Sequence, residues 1–66
     1  MEMGIPSFMI GHTLTELDIR KKYNVNIVAV KRDKNVIAPP NPNNPLQDED
    51  MLIVIGRNED ITKLSQ

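Results

Sequence analysis

Arg20 follows Ile19 within Leu14-Thr15-Glu16-Leu17-Asp18-Ile19-Arg20. Its guanidinium is a planar fork of N–H donors that can hold two phosphate oxygens at once. Six of the eight basic residues, Arg20, Lys21, Lys22, Lys31, Arg32 and Lys34, fall in one stretch. That clustering fits a phosphate-bearing ligand. It equally fits a solvated helix end and turn, the better reading for Lys21, Lys22 and Lys34. Phe8 and Tyr23 are the only aromatic residues, so a base would pack on aliphatic and proline surface rather than on rings.

Other chemistries lack their parts. His12 is the single histidine and there is no cysteine; Ser7 and Ser65 lie near the ends, where a nucleophile is hard to position. No catalytic residue is expected, and His12 reads as an exposed, cap-adjacent imidazole. Asp48, Glu49 and Asp50 lack the spacing and mid-loop glycine of a calcium loop, so they read as a solvated acidic turn rather than a metal site. Gly4, Gly11 and Gly56 are isolated and build no phosphate loop of the Rossmann or P-loop kind.

The elements that must position Arg20 begin with Thr13-Leu14-Thr15-Glu16, a capping box that opens a helix running to about Tyr23. Arg20, Lys21 and Lys22 in its last turn suit the dipole, and Asn24 suits a left-handed terminus. At about 100° per residue, Leu14 and Leu17 share one face, while Ile19 and Tyr23 lie roughly 140° or more away. Two apolar stripes follow, one for the chain's own sheet and one for a partner or ligand.

Residues 25–32 form a β-branched strand in which Val25, Ile27 and Ala29 alternate with Asn26, Val28 and Val30. A turn at 32–35 and a short strand at Val36-Ile37 complete a hairpin. Met51-Leu52-Ile53-Val54-Ile55 is apolar throughout, reads as a central strand, and ends at Gly56. Asn58 caps a short final helix from Glu59 to about Leu64. Ser7-Phe8-Met9-Ile10 reads as one further strand. The prolines at 39, 40, 42 and 45 exclude a helix and mark a defined loop. The sum is a small α+β domain, with one main helix on a mostly antiparallel sheet and a short C-terminal helix.

With 66 residues the core is thin, and without disulfides or a zinc cage the expected support is a second subunit or a docked domain. A net charge of −1 gives no basis for DNA or RNA binding through bulk charge. No apolar run approaches the roughly 20 residues of a membrane span. The first residues do not read as a signal peptide. A cytoplasmic setting fits the absence of cysteine.

The string from Gly11 to Tyr23, followed by Asn26-Ile27-Val28-Ala29-Val30-Lys31-Arg32, resembles the RCK C-terminal domain, also called TrkA-C, of cytoplasmic subunits that gate potassium channels and transporters. The family pattern has a G-x-(S/T)-L-x-E-L-(D/N)-(I/L)-R segment and a strand ending in a basic pair. A P-x-P loop and a D-x-L-x-V-x-G strand follow. Pro40-Asn41-Pro42 and Asp50-Met51-Leu52-Ile53-Val54-Ile55-Gly56 match the last two. The resemblance covers about Gly11 to Leu64 and assigns residues 11–66 to the domain. Residues 1–10 then count as a shortened first strand or an added segment. Asn24 replaces a frequent glycine.

The resemblance implies a homodimeric regulatory domain, no cofactor, and an RCK N-terminal domain of Rossmann type upstream or in a partner chain. It further implies a membrane-embedded potassium channel or transporter as the regulated partner. Several members bind cyclic di-AMP between two copies. Carried over residue by residue, Leu14 and Ile19 would contact adenine, Arg20 a phosphate, and Asn26 the base or ribose. Ile27 and Pro42 would wall the pocket. The alternative is a passive dimerisation module with no nucleotide.

Overall fold

Met51–Ile55 forms β4, the strand on which the sheet is built, and its side chains alternate cleanly. Leu52 and Val54 are fully buried, Met51 and Ile53 half-buried, and Ile55 is 63% exposed. In the computed structural model, which describes residues 1–65, four antiparallel strands run in the order β1-β4-β2-β3. The others are β1 (Glu2–Gly4), β2 (Asn26–Arg32) and β3 (Asn35–Ile37). The α+β class and the central place of β4 agree with the sequence.

Regular alternation along β2 fails after Ile27. Ile27 pairs with Val54 and Ala29 with Ile53, so Val28 is an extra residue in a β-bulge. A bulge shifts every later side chain to the other face. Val30 therefore sits opposite buried Leu52, and it, not Ala29, continues the face begun by Ile27. The β2–β3 hairpin is as expected, with Asp33 at φ 55° in a two-residue turn between paired Arg32 and Asn35.

The main helix is broken. Thr13 and Glu16 form the full capping box: the Glu16 N–H donates to Thr13 Oγ1 at 3.2 Å, and the Thr13 N–H to Glu16 Oε1 at 2.8 Å. The first piece, α1, spans only Leu14–Leu17. Asp18 then adopts a left-handed conformation (φ 51°, ψ 47°), and α2 runs over Ile19–Tyr23. Asn24 ends it in the same region (φ 57°, ψ 33°), as its type leads one to expect. Asp and Asn are among the few residues that occupy this region at modest cost.

The break overturns the expectation of two opposed apolar stripes. Ile19 is 4% exposed and belongs to the core, while Leu14, Leu17 and Tyr23 are half-buried against that same core. The kink at Asp18 turns both stripes toward one centre.

Near the amino terminus, Ser7–Met9 is a 3-10 turn rather than a strand, and Met9 is driven completely into the core. Pro6 at its head explains the difference, because the Met9 N–H closes back on Pro6 O at 2.9 Å. The first strand lies earlier, at Glu2–Gly4. The C-terminal helix α3 spans Asn58–Ser65, with Arg57 rather than Asn58 in the cap position, since the Ile61 N–H donates to Arg57 O. Ile61 and Leu64 of α3 close the core over α2 and the sheet.

Candidate functional site

Where α2 ends and β2 begins, the chain turns a corner at Asn24, and a cavity of about 310 Å³ opens between that corner and the proline loop. Leu14, Ile19, Arg20, Val25, Asn26, Ile27, Pro40 and Pro42 line it. All six residues singled out in the sequence, Leu14, Ile19, Arg20, Asn26, Ile27 and Pro42, meet there. Val25 and Pro40 were passed over. Pro40 is the first member of the P-x-P motif, so its spacing to Pro42 was the available signal.

The floor is apolar and the rim polar. Ile19 and Val25 are buried, Leu14 and Ile27 half-buried, and Arg20, Asn26 and Pro42 exposed. Ile19 serves the core first and offers the cavity only a small area. Arg20 forms no ion pair among the described residues, so its donors are open to an anion. A concave apolar site with a few convergent polar groups is the usual form of a small-molecule pocket.

The loop wall of this cavity is irregular yet tied at three places. Thr15, on the first turn of α1, donates its backbone N–H to Pro42 O at 3.0 Å, and its hydroxyl donates to the same oxygen at 3.0 Å. Thr15 Oγ1 also lies 3.2 Å from Asn43 Oδ1. Further on, Leu46 is buried and exchanges backbone bonds with Gly11 and His12: Gly11 N–H to Leu46 O at 2.8 Å, Leu46 N–H to His12 O at 2.9 Å. Gly11 has φ 80°, a conformation that side chains resist, which accounts for a glycine at the head of the motif.

The third tie corrects the reading of the acidic segment as a wholly solvated turn. Asp48 and Glu49 are exposed, but Asp50 is 1% exposed. Arg32 clasps it with two parallel bonds, Nε to Oδ1 at 2.9 Å and a terminal nitrogen to Oδ2 at 2.8 Å; the Gln47 N–H adds a third at 2.9 Å. Those hydrogen bonds, Arg32's first, hold the Asp50 carboxyl below the ordinary carboxylate range, although burial pushes the other way. Bonding to Asp50 likewise raises the Arg32 pKa. Arg32 is thus a structural clasp and not part of a ligand-facing basic group.

Elsewhere the candidates for chemistry stay apart. His12 Nδ1 lies 3.4 Å from Glu16 Oε1 on the exposed cap, and the Ser65 hydroxyl donates to Thr62 O at 3.1 Å. Among the described residues no group of three or more His, Cys, Asp or Glu side chains could hold a metal ion, and no helix is long and apolar enough to cross a membrane.

A four-stranded antiparallel sheet, a broken helix entered through a glycine turn, and a cavity walled by a P-x-P loop define an RCK-type C domain. The chain belongs to the TrkA-C domain family, whose model matches residues 2–66. It is 46% identical over 66 residues to the Ktr system potassium uptake protein C of Bacillus subtilis (strain 168), covering 100% of this chain and 30% of that protein. The chain therefore spans less than a third of this relative. Among solved structures it is similar to the RCK C domain of the potassium transport protein KtrA in complex with cyclic diadenosine monophosphate. The TM-score is 0.92 at 40% identity, with 98% of this chain and 76% of that one covered. The RCK_C domain dimer of S. agalactiae BusR, in complex with cyclic di-AMP, superposes with a TM-score of 0.85 over 97% of this chain and 82% of that chain. At 20% identity that likeness shows the fold alone.

Proposed function

We propose that this chain is a cytoplasmic, ligand-sensing regulatory domain of a potassium channel or transporter, and that two copies bind cyclic di-AMP in a crevice between them. The carrying observation is the convergence of Leu14, Ile19, Arg20, Asn26, Ile27 and Pro42 on one apolar-floored cavity with an unpaired guanidinium at its rim among the described residues. Its volume of about 310 Å³ stands at the low end of small-molecule sites, which suits one half of a two-fold dinucleotide. A symmetric ligand meets the same patch of each subunit, so it fits a two-fold seam. The KtrA RCK C domain that this chain resembles was solved with that ligand.

In this reading Leu14, Ile27 and Pro42 pack on adenine, with Ile19 and Val25 beneath. Arg20 holds a phosphate and Asn26 bonds the base or ribose. No residue is assigned a catalytic role. A Rossmann-type RCK N-terminal domain, upstream or in a partner chain, would link the pair to the membrane-embedded protein. The ligand moves that partner only insofar as it binds one relative placement of the two copies more tightly than another.

Calorimetric titration of cyclic di-AMP tests this. Saturation at one ligand per two chains is expected. Arg20→Ala should weaken binding at least tenfold, because a charge-assisted bond contributes about 1.5–3 kcal/mol, whereas Lys34→Ala should leave it within about twofold. No heat of binding at high micromolar ligand from folded wild-type chain would sink the nucleotide part.

A further inference from the structure

Pro42 stands on an exposed loop, and prolines restrict their own residues without fixing where the loop lies relative to the helix. Of the loop's three ties, the one that reaches Pro42 itself is Thr15. Its position on the first turn of α1 leaves its backbone N–H without a partner inside the helix, and that N–H reaches Pro42 O at 3.0 Å. Its hydroxyl closes on the same carbonyl at 3.0 Å and lies 3.2 Å from the Asn43 side-chain amide. Leu14, the residue before Thr15, lines the cavity on the helix side, while Pro42 lines it on the loop side. One threonine thus joins the helix side of the opening to the loop side.

We infer that Thr15 is a positioning residue for the cavity: it touches no ligand but latches the Pro42 wall to α1, and so sets how tightly the site holds what it binds. The ligand part of this inference rests on the cyclic di-AMP reading above; the latch itself does not. A wall held in place before binding spares the ligand the cost of ordering it. The bonds of Thr15 are solvent-exposed, so each subunit contributes modestly. A ligand shared by two copies meets two latches.

The test compares Thr15→Val, which keeps the β-branched shape and the backbone N–H, with Thr15→Ser, which keeps the hydroxyl. Thr15→Val should weaken cyclic di-AMP about threefold per subunit, or about tenfold for a ligand spanning both. Thr15→Ser should restore it to within about twofold. Amide hydrogen exchange in the ligand-free chain supplies an independent readout. Exchange at residues 15, 43 and 44 should be faster in Thr15→Val and wild-type-like in Thr15→Ser, while the β4 amides stay protected in both. If wild type binds and Thr15→Val binds equally well with unchanged exchange, the latch is refuted. If wild type does not bind, the nucleotide reading falls; the exchange data then still decide the latch, and equal rates in Thr15→Val and wild type overturn it.

Discussion

The two walls of the cavity are built by opposite means. On the α2–β2 side, Ile19, Arg20, Val25, Asn26 and Ile27 lie within nine consecutive residues, and local backbone conformation places them. Asp18 and Asn24, both left-handed, start and stop the helix that carries Arg20. On the loop side, Pro40 and Pro42 have no regular element beneath them. Tertiary ties from Thr15, Gly11, His12 and Arg32 hold that segment. One wall is specified by the order of its own residues, the other by residues up to 35 positions away. Changes on the loop side should therefore act through distant partners, and changes on the helix side through local backbone energy.

Removing the Arg32–Asp50 clasp should have the largest effect. Asp50→Ala strips the buried end and leaves Gln47 N–H without its acceptor. Loss of one partner of a buried pair costs about 3–5 kcal/mol, and solvent reaching the partly exposed Arg32 brings the expected loss to about 2–3 kcal/mol. Urea denaturation would measure it, and a loss under about 1 kcal/mol would mean that the loop does not depend on this tie.

The same carboxylate gives a pH signature. An unfolded Asp titrates at about 3.9, whereas Asp50 in the fold is held lower. Between those two values the unfolded chain binds more protons, so stability contributed by Asp50 is complete above that window and is lost as pH falls through it. Asp50→Asn should flatten this part of the acid limb. An unchanged slope would contradict the clasp.

Smaller effects belong to the helix side. Asn24→Ala puts an ordinary side chain into the left-handed region and should cost about 1 kcal/mol, while Asn24→Gly should stay within about 0.5 kcal/mol of wild type. Equal losses for the two, followed by thermal denaturation, would show that the Asn24 side chain matters for some reason other than backbone conformation. Smallest of all is Lys34→Ala in the hairpin turn, expected within about 0.5 kcal/mol.

What could be read from the sequence divides along the same line. The Thr13–Glu16 capping box, the Asn24 terminus, the hairpin and β4 were legible because each depends on neighbours within a few residues. The six cavity residues were named through the family resemblance; spacing pointed only to Ile19 and Arg20, by a two-stripe argument that the kink at Asp18 overturns. The break at Asp18 was not legible, since the capping signal and the apolar spacing both suit an unbroken helix. Nor was the bulge at Val28, where one extra β-branched residue leaves strand propensity untouched. Asp50 read as one more surface acid beside Asp48 and Glu49, because only the fold brings Arg32 against it. The anchoring role of Thr15 was hidden for the same reason: its partner lies 27 residues on.

Between Pro42, fixed to α1, and Leu46, sunk in the core, the chain crosses only Asn43, Asn44 and Pro45, all exposed. With both ends anchored, this short span can lengthen at little entropic expense, since doubling a flexible loop adds only about 0.6 kcal/mol. Evolution, or an engineer grafting residues there, could thereby reshape the outer surface beside Pro42 while the packing underneath goes undisturbed.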